Sequence, residues 1–302
     1  MNQVYAKLIA LLLLLVIGQL IQRRLVLPEA FYDSANALLI RVTLPAMILA
    51  SMDKAFSYNV LQNSMILFLV ACGAFTAVVF ALEIWHRCSH LPKDKLGVYQ
   101  YLILVGNTAF MGYPVIQAMY GDEGVFYASI CNLVHNLITF SYAVGLLERG
   151  GAGDRQRRSC NACLLASVVG VVLFLSPFQL PECVHQALDW MGSITIPLCL
   201  LCTGARLSMG SVQRAARSAT VWAVSLTRLI LFPLILIPAL RMLHCSGVTL
   251  AVPVVLFATP TALTAGTFAQ QYGCDASFAA NTVVLSNLVS LFTLPVVVAC
   301  LH

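Results

Sequence analysis

Asn107 and Thr108 are the residues of this chain whose types and setting point most directly to chemistry. They sit in Leu104-Val105-Gly106-Asn107-Thr108-Ala109-Phe110-Met111-Gly112-Tyr113-Pro114, a carboxamide and a hydroxyl among two glycines and a proline in an apolar stretch. Such breakers free backbone N–H and C=O groups, which hydrocarbon tolerates only where protein or a water-lined cavity surrounds them. A second stretch, Phe257-Ala258-Thr259-Pro260-Thr261-Ala262-Leu263-Thr264-Ala265-Gly266-Thr267, has the same character. Thr259 lies 152 positions after Asn107, and Thr264 lies 152 positions after Gly112. Glycines and prolines that merely allow close helix packing explain one such stretch. Two at matched positions, both polar, point to a binding centre where half-helix N-termini attract anions and freed carbonyls hold cations. The chemistry implied is recognition, not bond-making. No HExxH zinc motif occurs, and the serines and cysteines lack an evident base, so no enzyme activity is expected.

Further polar side chains fall inside apolar segments. Asn132 and Asn136 are four apart with His135 beside them, a spacing that sets all three on a broadly common helix sector. Asn281, Ser286 and Asn287 occupy the last segment, Asn287 lying 152 positions after His135. Interhelical hydrogen bonds of about 1 kcal/mol each are the structural use of such groups; lining a site is the functional one. His135 is the group titrating near neutral pH that lies well inside a segment, and so the candidate for proton coupling. Arg41 lies mid-segment four residues before Pro45, and Arg228 lies in a later one. An intramembrane arginine costs several kcal/mol and is a functional hypothesis by default. An anionic ligand is the expected counter-charge; snorkelling, or pairing with Glu83 or Asp189, is the alternative.

The elements that must position these residues are membrane spans. Of 302 residues 60% are hydrophobic and 10% charged, against roughly 25% charged in a soluble domain. At about 20 residues per crossing, ten spans fit: 5–21, 33–51, 60–83, 97–119, 123–147, 162–178, 187–205, 217–240, 248–271 and 275–301. Tyr5–Ile21, followed directly by Arg23-Arg24, reads as the first span and not as a cleaved leader. Alternating the spans puts Arg23, Arg24, Arg87, Lys93, Lys95, Arg149, Arg155, Arg157, Arg158, Arg206, Arg214 and Arg217 on one side. Lys7, Lys54 and Arg241 fall on the other. The basic side is therefore cytoplasmic and both termini lie outside. The net charge of +5 serves orientation; without aromatic-basic interleaving it does not suggest nucleic acid. Eleven cysteines, including two CxxC pairs, are scattered through the chain. Neither pair has the second pair a structural zinc site needs, so small buried packing residues are expected, with no metal and no cofactor.

The chain also repeats itself. Thr43-Leu44-Pro45 recurs 152 positions on as Thr195-Ile196-Pro197, Tyr120-Gly121 as Tyr272-Gly273, and Leu27-Pro28-Glu29, with one residue inserted, as Leu180-Pro181-Glu182. Five spans is an odd number, so a second copy enters the bilayer from the opposite face. The expected architecture is an all-α membrane protein: a first five-helix repeat over 1–148, a cytoplasmic linker over 149–161 and a second, inverted repeat over 162–302. Broken helices 4 and 9 cross.

Gly106–Pro114, followed by Met119-Tyr120-Gly121, resembles the fourth-span signature of the auxin efflux carrier family, and Val42-Thr43-Leu44-Pro45-Ala46 resembles its second-span proline motif. The resemblance covers essentially the whole chain; the short 148–161 connection is similar to compact prokaryotic members, which are associated with small carboxylates. It implies a scaffold formed by the first two helices of each repeat, a transport domain formed by the other three, and a site at the crossing. The site set it implies, with the polar residues above, is Asn107, Thr108, Met111, Asn132, His135, Asn136, Thr259, Pro260, Thr261, Asn281, Asn287 and Arg41. The expected function is secondary transport of a small organic anion, a carboxylate by the family's association, by alternating access in a bacterial inner membrane. Proton or sodium coupling and a homodimer through the scaffold stay open. So do two alternatives: a sodium-coupled carrier resembling the bile acid symporters, and a sensor that binds the same ligand without moving it.

Overall fold

The computed structural model describes residues 2–53, 58–88, 93–150, 162–176, 179–205, 213 and 215–301. Most of the expected linker, together with Lys54, Arg206 and Arg214, lies outside them. Regular structure among the described residues is helical, with one isolated antiparallel bridge, Gly106 to Thr261. Among the described residues five stretches are long and apolar enough to cross a membrane: Ala30–Met52, Val60–Cys88, Thr108–Arg149, Ala219–Met242 and Ala276–Leu301. Leu165–Leu175 and Val248–Phe257 are shorter apolar helices.

Proline and glycine explain where the helices bend. Pro28 and Pro181, in extended backbone, directly precede the Glu29–Leu38 and Glu182–Ser193 helices, since a fixed φ and a missing N–H suit a helix start. Gly121 and Gly273 both have positive φ, 63° and 69°, which glycine adopts without a Cβ penalty. Gly121 thereby kinks Tyr113–Ile138 in its interior. Wide π-helical turns occupy Leu39–Thr43, Thr108–Gly112, Thr139–Ala143 and Thr227–Leu231. Pro45, Pro114 and Pro233 follow three of them by two residues. A proline cannot bond the carbonyl of the preceding turn and its ring pushes that carbonyl away; widening the turn relieves the clash. Cysteine thiols reach two carbonyls in these turns: Cys163 Sγ lies 3.4 Å from the Ile40 oxygen, and Cys199 Sγ 3.7 Å from that of Phe110. Those cysteines therefore do more than fill space.

The chain forms two compact units. The first comprises 1–66, 109–133 and 159–208. In it the Asn2–Leu25 helix packs along Thr195–Ala205, close enough that a side chain at Gly18 would overlap the Leu201 carbonyl. Leu44–Met52 lies against both Ala162–Leu175 and Glu182–Ser193. The Met52 sulfur fills the space over Gly170, and a Cβ at Gly192 would stand 2.9 Å from Met47 Cα. Backbones that approach this closely are how membrane helices gain van der Waals contact without a hydrophobic drive.

The second unit comprises 67–108, 134–158 and 209–302. There Lys93–Leu104 packs on Val144–Gly150, and Ala276–Leu301 packs on Ala265–Gln271 and Ala219–Leu226. Ala215, Val221 and Leu285 form a small core, with Phe278 against it. Glu83 accepts from the Tyr142 hydroxyl at 2.6 Å and from Arg149 at 3.3 Å, so its partner is Arg149 and not an arginine of the apolar interior.

Gly192→Leu is expected to lower the midpoint of thermal unfolding in detergent, by the equivalent of about 1–3 kcal/mol of overpacking. Gly73→Ala, where an added Cβ meets nothing within 4 Å, is expected to leave it unchanged. Equal midpoints for the two variants would contradict the Gly192–Met47 approach.

Candidate functional site

Both interrupted stretches unwind, and both do so inside the second unit. The Lys93–Leu104 helix stops before Gly106, and Val248–Phe257 stops before Thr259. The freed backbone groups pair with each other. Asn107 N–H donates to the Pro260 carbonyl at 2.7 Å, and Ala262 N–H donates to that of Val105 at 3.2 Å. Two short runs of antiparallel backbone therefore replace two lost helical turns, which meets the demand that buried peptide groups be satisfied.

Side chains complete the junction. Ser286 Oγ accepts from Thr261 N–H at 3.2 Å, and Asn287 Nδ2 donates to the carbonyls of Val283 at 2.8 Å and Thr261 at 3.4 Å. Asn107 Nδ2 reaches Asn287 Oδ1 at 3.4 Å. The Thr259 hydroxyl turns back on the Leu256 carbonyl at 2.7 Å, as a threonine at a helix end does. His135 Nε2 faces Gly106 N–H at 3.4 Å, so that nitrogen is the acceptor and the ring proton resides on Nδ1. Phe75 covers the imidazole, centroids 5.5 Å apart, and stacks at 4.5 Å on Phe257.

Arg228, 2% exposed, holds the two ends together. Its Nη1 donates to the Ile103 carbonyl and its Nε to that of Thr259 at 3.1 Å. One guanidinium thus bonds a carbonyl from each interrupted stretch, as its rigid fork of donors allows. Phe232 lies 6.0 Å from its Cζ. Among the described residues the two ion pairs are Arg149–Glu83 and His185–Asp53; Arg228 belongs to neither. Gly106 is glycine because a Cβ there would overlap this guanidinium and the Thr259 hydroxyl.

Buried polar atoms of the second unit without a hydrogen-bond partner among the described residues include His135 Nδ1, Asn136 Nδ2, Thr261 Oγ1 and Thr293 Oγ1. Two of these are N–H donors. A buried donor left unmade costs about 1–3 kcal/mol.

The residues expected from sequence divide as follows. Asn107, Thr108, His135, Asn136, Thr259, Pro260, Thr261 and Asn287 are all buried residues of the second unit. Asn281 shares the helix of Asn287 but is half-buried; six residues turn a helix by about 240° beyond one full turn, so the two face different ways. Met111 and Asn132 are buried in the first unit, and Arg41 is exposed there. Arg228 and Ser286 hold the junction, though neither was in the expected set. The signal for Arg228 was its position inside an apolar segment; sequence alone does not say which way such an arginine faces.

Gly106→Ala is expected to lower the unfolding midpoint measurably, because the new methyl displaces Arg228 or Thr259. Gly145→Ala, with nothing within 4 Å of its added Cβ, serves as the control. A Gly106→Ala midpoint equal to that control would remove the close approach from the picture.

Comparison with known proteins agrees with this architecture. A family model described as membrane transport protein matches the chain twice, over residues 3–160 and 155–298. An uncharacterised transporter of Methanocaldococcus jannaschii is 24% identical over 296 residues, 94% of each chain. Another, from Methanothermobacter thermautotrophicus, is 25% identical over 294 residues, 95% of each. A Rhizobium meliloti protein provisionally named a malonate transporter is 20% identical over 296 residues, 93% of this chain and 90% of its own. The pair of unwound stretches joined by backbone bonds therefore belongs to an integral membrane protein, and the chain is a member of the auxin efflux carrier-like membrane transport family.

Proposed function

We propose that this protein is a secondary transporter of a small organic anion, a carboxylate, which binds where the two unwound stretches meet. The observation that carries the reading is Arg228: a buried guanidinium, outside every ion pair of the described residues, bonded to a carbonyl from each stretch. Freed carbonyls at a broken helix are what would hold a cation. Here the guanidinium occupies two of them, and the positive charge that remains favours an anion. The unmade donors on His135 and Asn136 suit carboxylate oxygens, which only accept. The provisional malonate assignment of the Rhizobium relative points the same way.

Alternating access, ten spans and inverted repeats belong to the same reading. It draws support from the positive φ at both Gly121 and Gly273, from proline-led helices after both Leu27 and Leu180, and from a family model that matches each half of the chain. The placing of both termini outside rests on the charge bias alone; a bacterial inner membrane rests on the resemblance to compact prokaryotic members. Met111, Asn132, Asn281 and Arg41 would line the path at other points of the cycle. His135 would take up a coupled proton at Nε2, its lone-pair nitrogen, when the bond from Gly106 N–H opens.

Proteoliposomes loaded without substrate should accumulate radiolabelled malonate or a related short carboxylate. Arg228→Gln should reduce the ratio of maximal rate to apparent substrate constant at least tenfold, about 1.4 kcal/mol, while Arg228→Lys, which keeps the charge, retains more. Binding without flux would establish a sensor and overturn the transport reading; unchanged kinetics in Arg228→Gln would overturn the anion argument.

His135→Gln keeps an acceptor for Gly106 N–H but cannot exchange a proton. Its uptake is expected to lose the pH dependence of the parent between about pH 5 and 8. Superimposable pH profiles would remove His135 from coupling.

A further inference from the structure

We infer that the anion site selects for single charge: a dicarboxylate binds there with one carboxyl protonated, and a monocarboxylate with a neutral polar end binds as well or better. This preference deepens the carboxylate reading above and presupposes it. What carries it is the balance of buried charge. Among the described residues Arg228 is the one charged side chain that is buried. The other arginines of the second unit whose side chains are described, Arg87, Arg149, Arg217 and Arg241, are exposed. The unit's carboxylates stand away from the interior too. Glu83 and Glu148 are half-buried, Glu83 paired with Arg149, and the exposed Asp275 accepts from Phe278 N–H at 2.9 Å. His135 adds no second positive charge while its Nε2 accepts from Gly106 N–H, because a protonated imidazole donates from both nitrogens. The Ile103 and Thr259 carbonyls bonded to Arg228 are dipoles and leave its charge uncancelled. The buried interior of the described residues therefore presents one positive charge, and no negative one, to what binds.

One carboxylate neutralises that charge. A second would leave water with no buried cation to meet it, and an unpaired ion in a low-dielectric interior is strongly disfavoured. Protonation removes the excess: the group becomes a neutral carboxyl with one O–H donor and remaining acceptor capacity. Thr261, in the second unwound stretch, carries a buried hydroxyl oxygen without a partner among the described residues. That oxygen has lone pairs able to accept from a carboxyl O–H. A carboxamide is likewise neutral and both donates and accepts, so it stands in for the protonated carboxyl without itself titrating.

Malonate and its monoamide, malonamate, differ by that exchange alone, and titration calorimetry on the purified protein compares their affinities. At about pH 8, where an ordinary carboxyl is ionised, malonamate should bind at least about tenfold more tightly than malonate. As pH falls towards about 6, malonate should gain on malonamate by up to about tenfold per unit. In His135→Gln, which has no imidazole to protonate, the ratio of the two affinities should keep that pH dependence. Loss of the dependence there would put the proton on the protein and overturn the proposal. So would malonate binding at least as tightly as malonamate at the higher pH, or a ratio that does not move with pH; each of these leaves the anion site standing. Uncharged malonamide binding as tightly as malonamate, or no binding by either acid, would instead remove the anion site itself, and the preference for single charge with it.

Discussion

The second unit depends on one constraint: a peptide group that leaves its helix inside an apolar interior must find another partner. Two stretches leave their helices here, and each supplies what the other lacks. The bonds Asn107 to Pro260 and Ala262 to Val105 join them backbone to backbone, independent of side-chain identity. Side chains then fasten the ends, with Ser286 and Asn287 on one side and Arg228 on the other. The unwound region is therefore as well bonded as the helices that lead into it, and a gap in regular structure becomes a fixed platform.

Charge placement gives that platform its chemical preference. A guanidinium in a low-dielectric interior costs several kcal/mol unless its donors are met. Carbonyl oxygens meet two of them without cancelling the charge, because they are dipoles and not anions. A carboxylate partner would have satisfied the same donors and left no net field. The distinction separates an arginine used as a structural clasp from one that also sets the sign of what binds nearby.

Much of this was legible in the residues, and the parts that were not have physical reasons. Gly106-Asn107 and Thr259-Pro260 announced their unwinding because glycine and proline act locally, through φ and a missing N–H. The junction partners Asn287 and His135 could be named because polar groups in an apolar segment are few. The facing of Arg41 and Arg228 was not legible, because depth along a span is readable while facing is not; Arg41 is exposed and Arg228 is buried. Phase was the second obscurity. The wide turns at Leu39–Thr43, Thr139–Ala143 and Thr227–Leu231 shift the helical register in mid-segment, so a sector projected from one end of a span misplaces residues beyond the turn. The roles of Cys163 and Cys199 were also hidden, since their acceptors arise only once a proline has freed a carbonyl.

Those wide turns carry a further meaning for how this protein can change. A π turn is an α-helix with one residue too many, and removing that residue restores a regular helix while rotating everything downstream by about 100°. In a span with Pro45 or Pro233 just beyond the turn, the rotation would carry Leu44 and Ile48, or Pro233 and Leu240, from the packed side toward lipid. On the lipid-facing side of these segments hydrocarbon accepts most apolar side chains, whereas a one-residue deletion reassigns a whole face at once. Identity is therefore loosely held at those positions, and length is not.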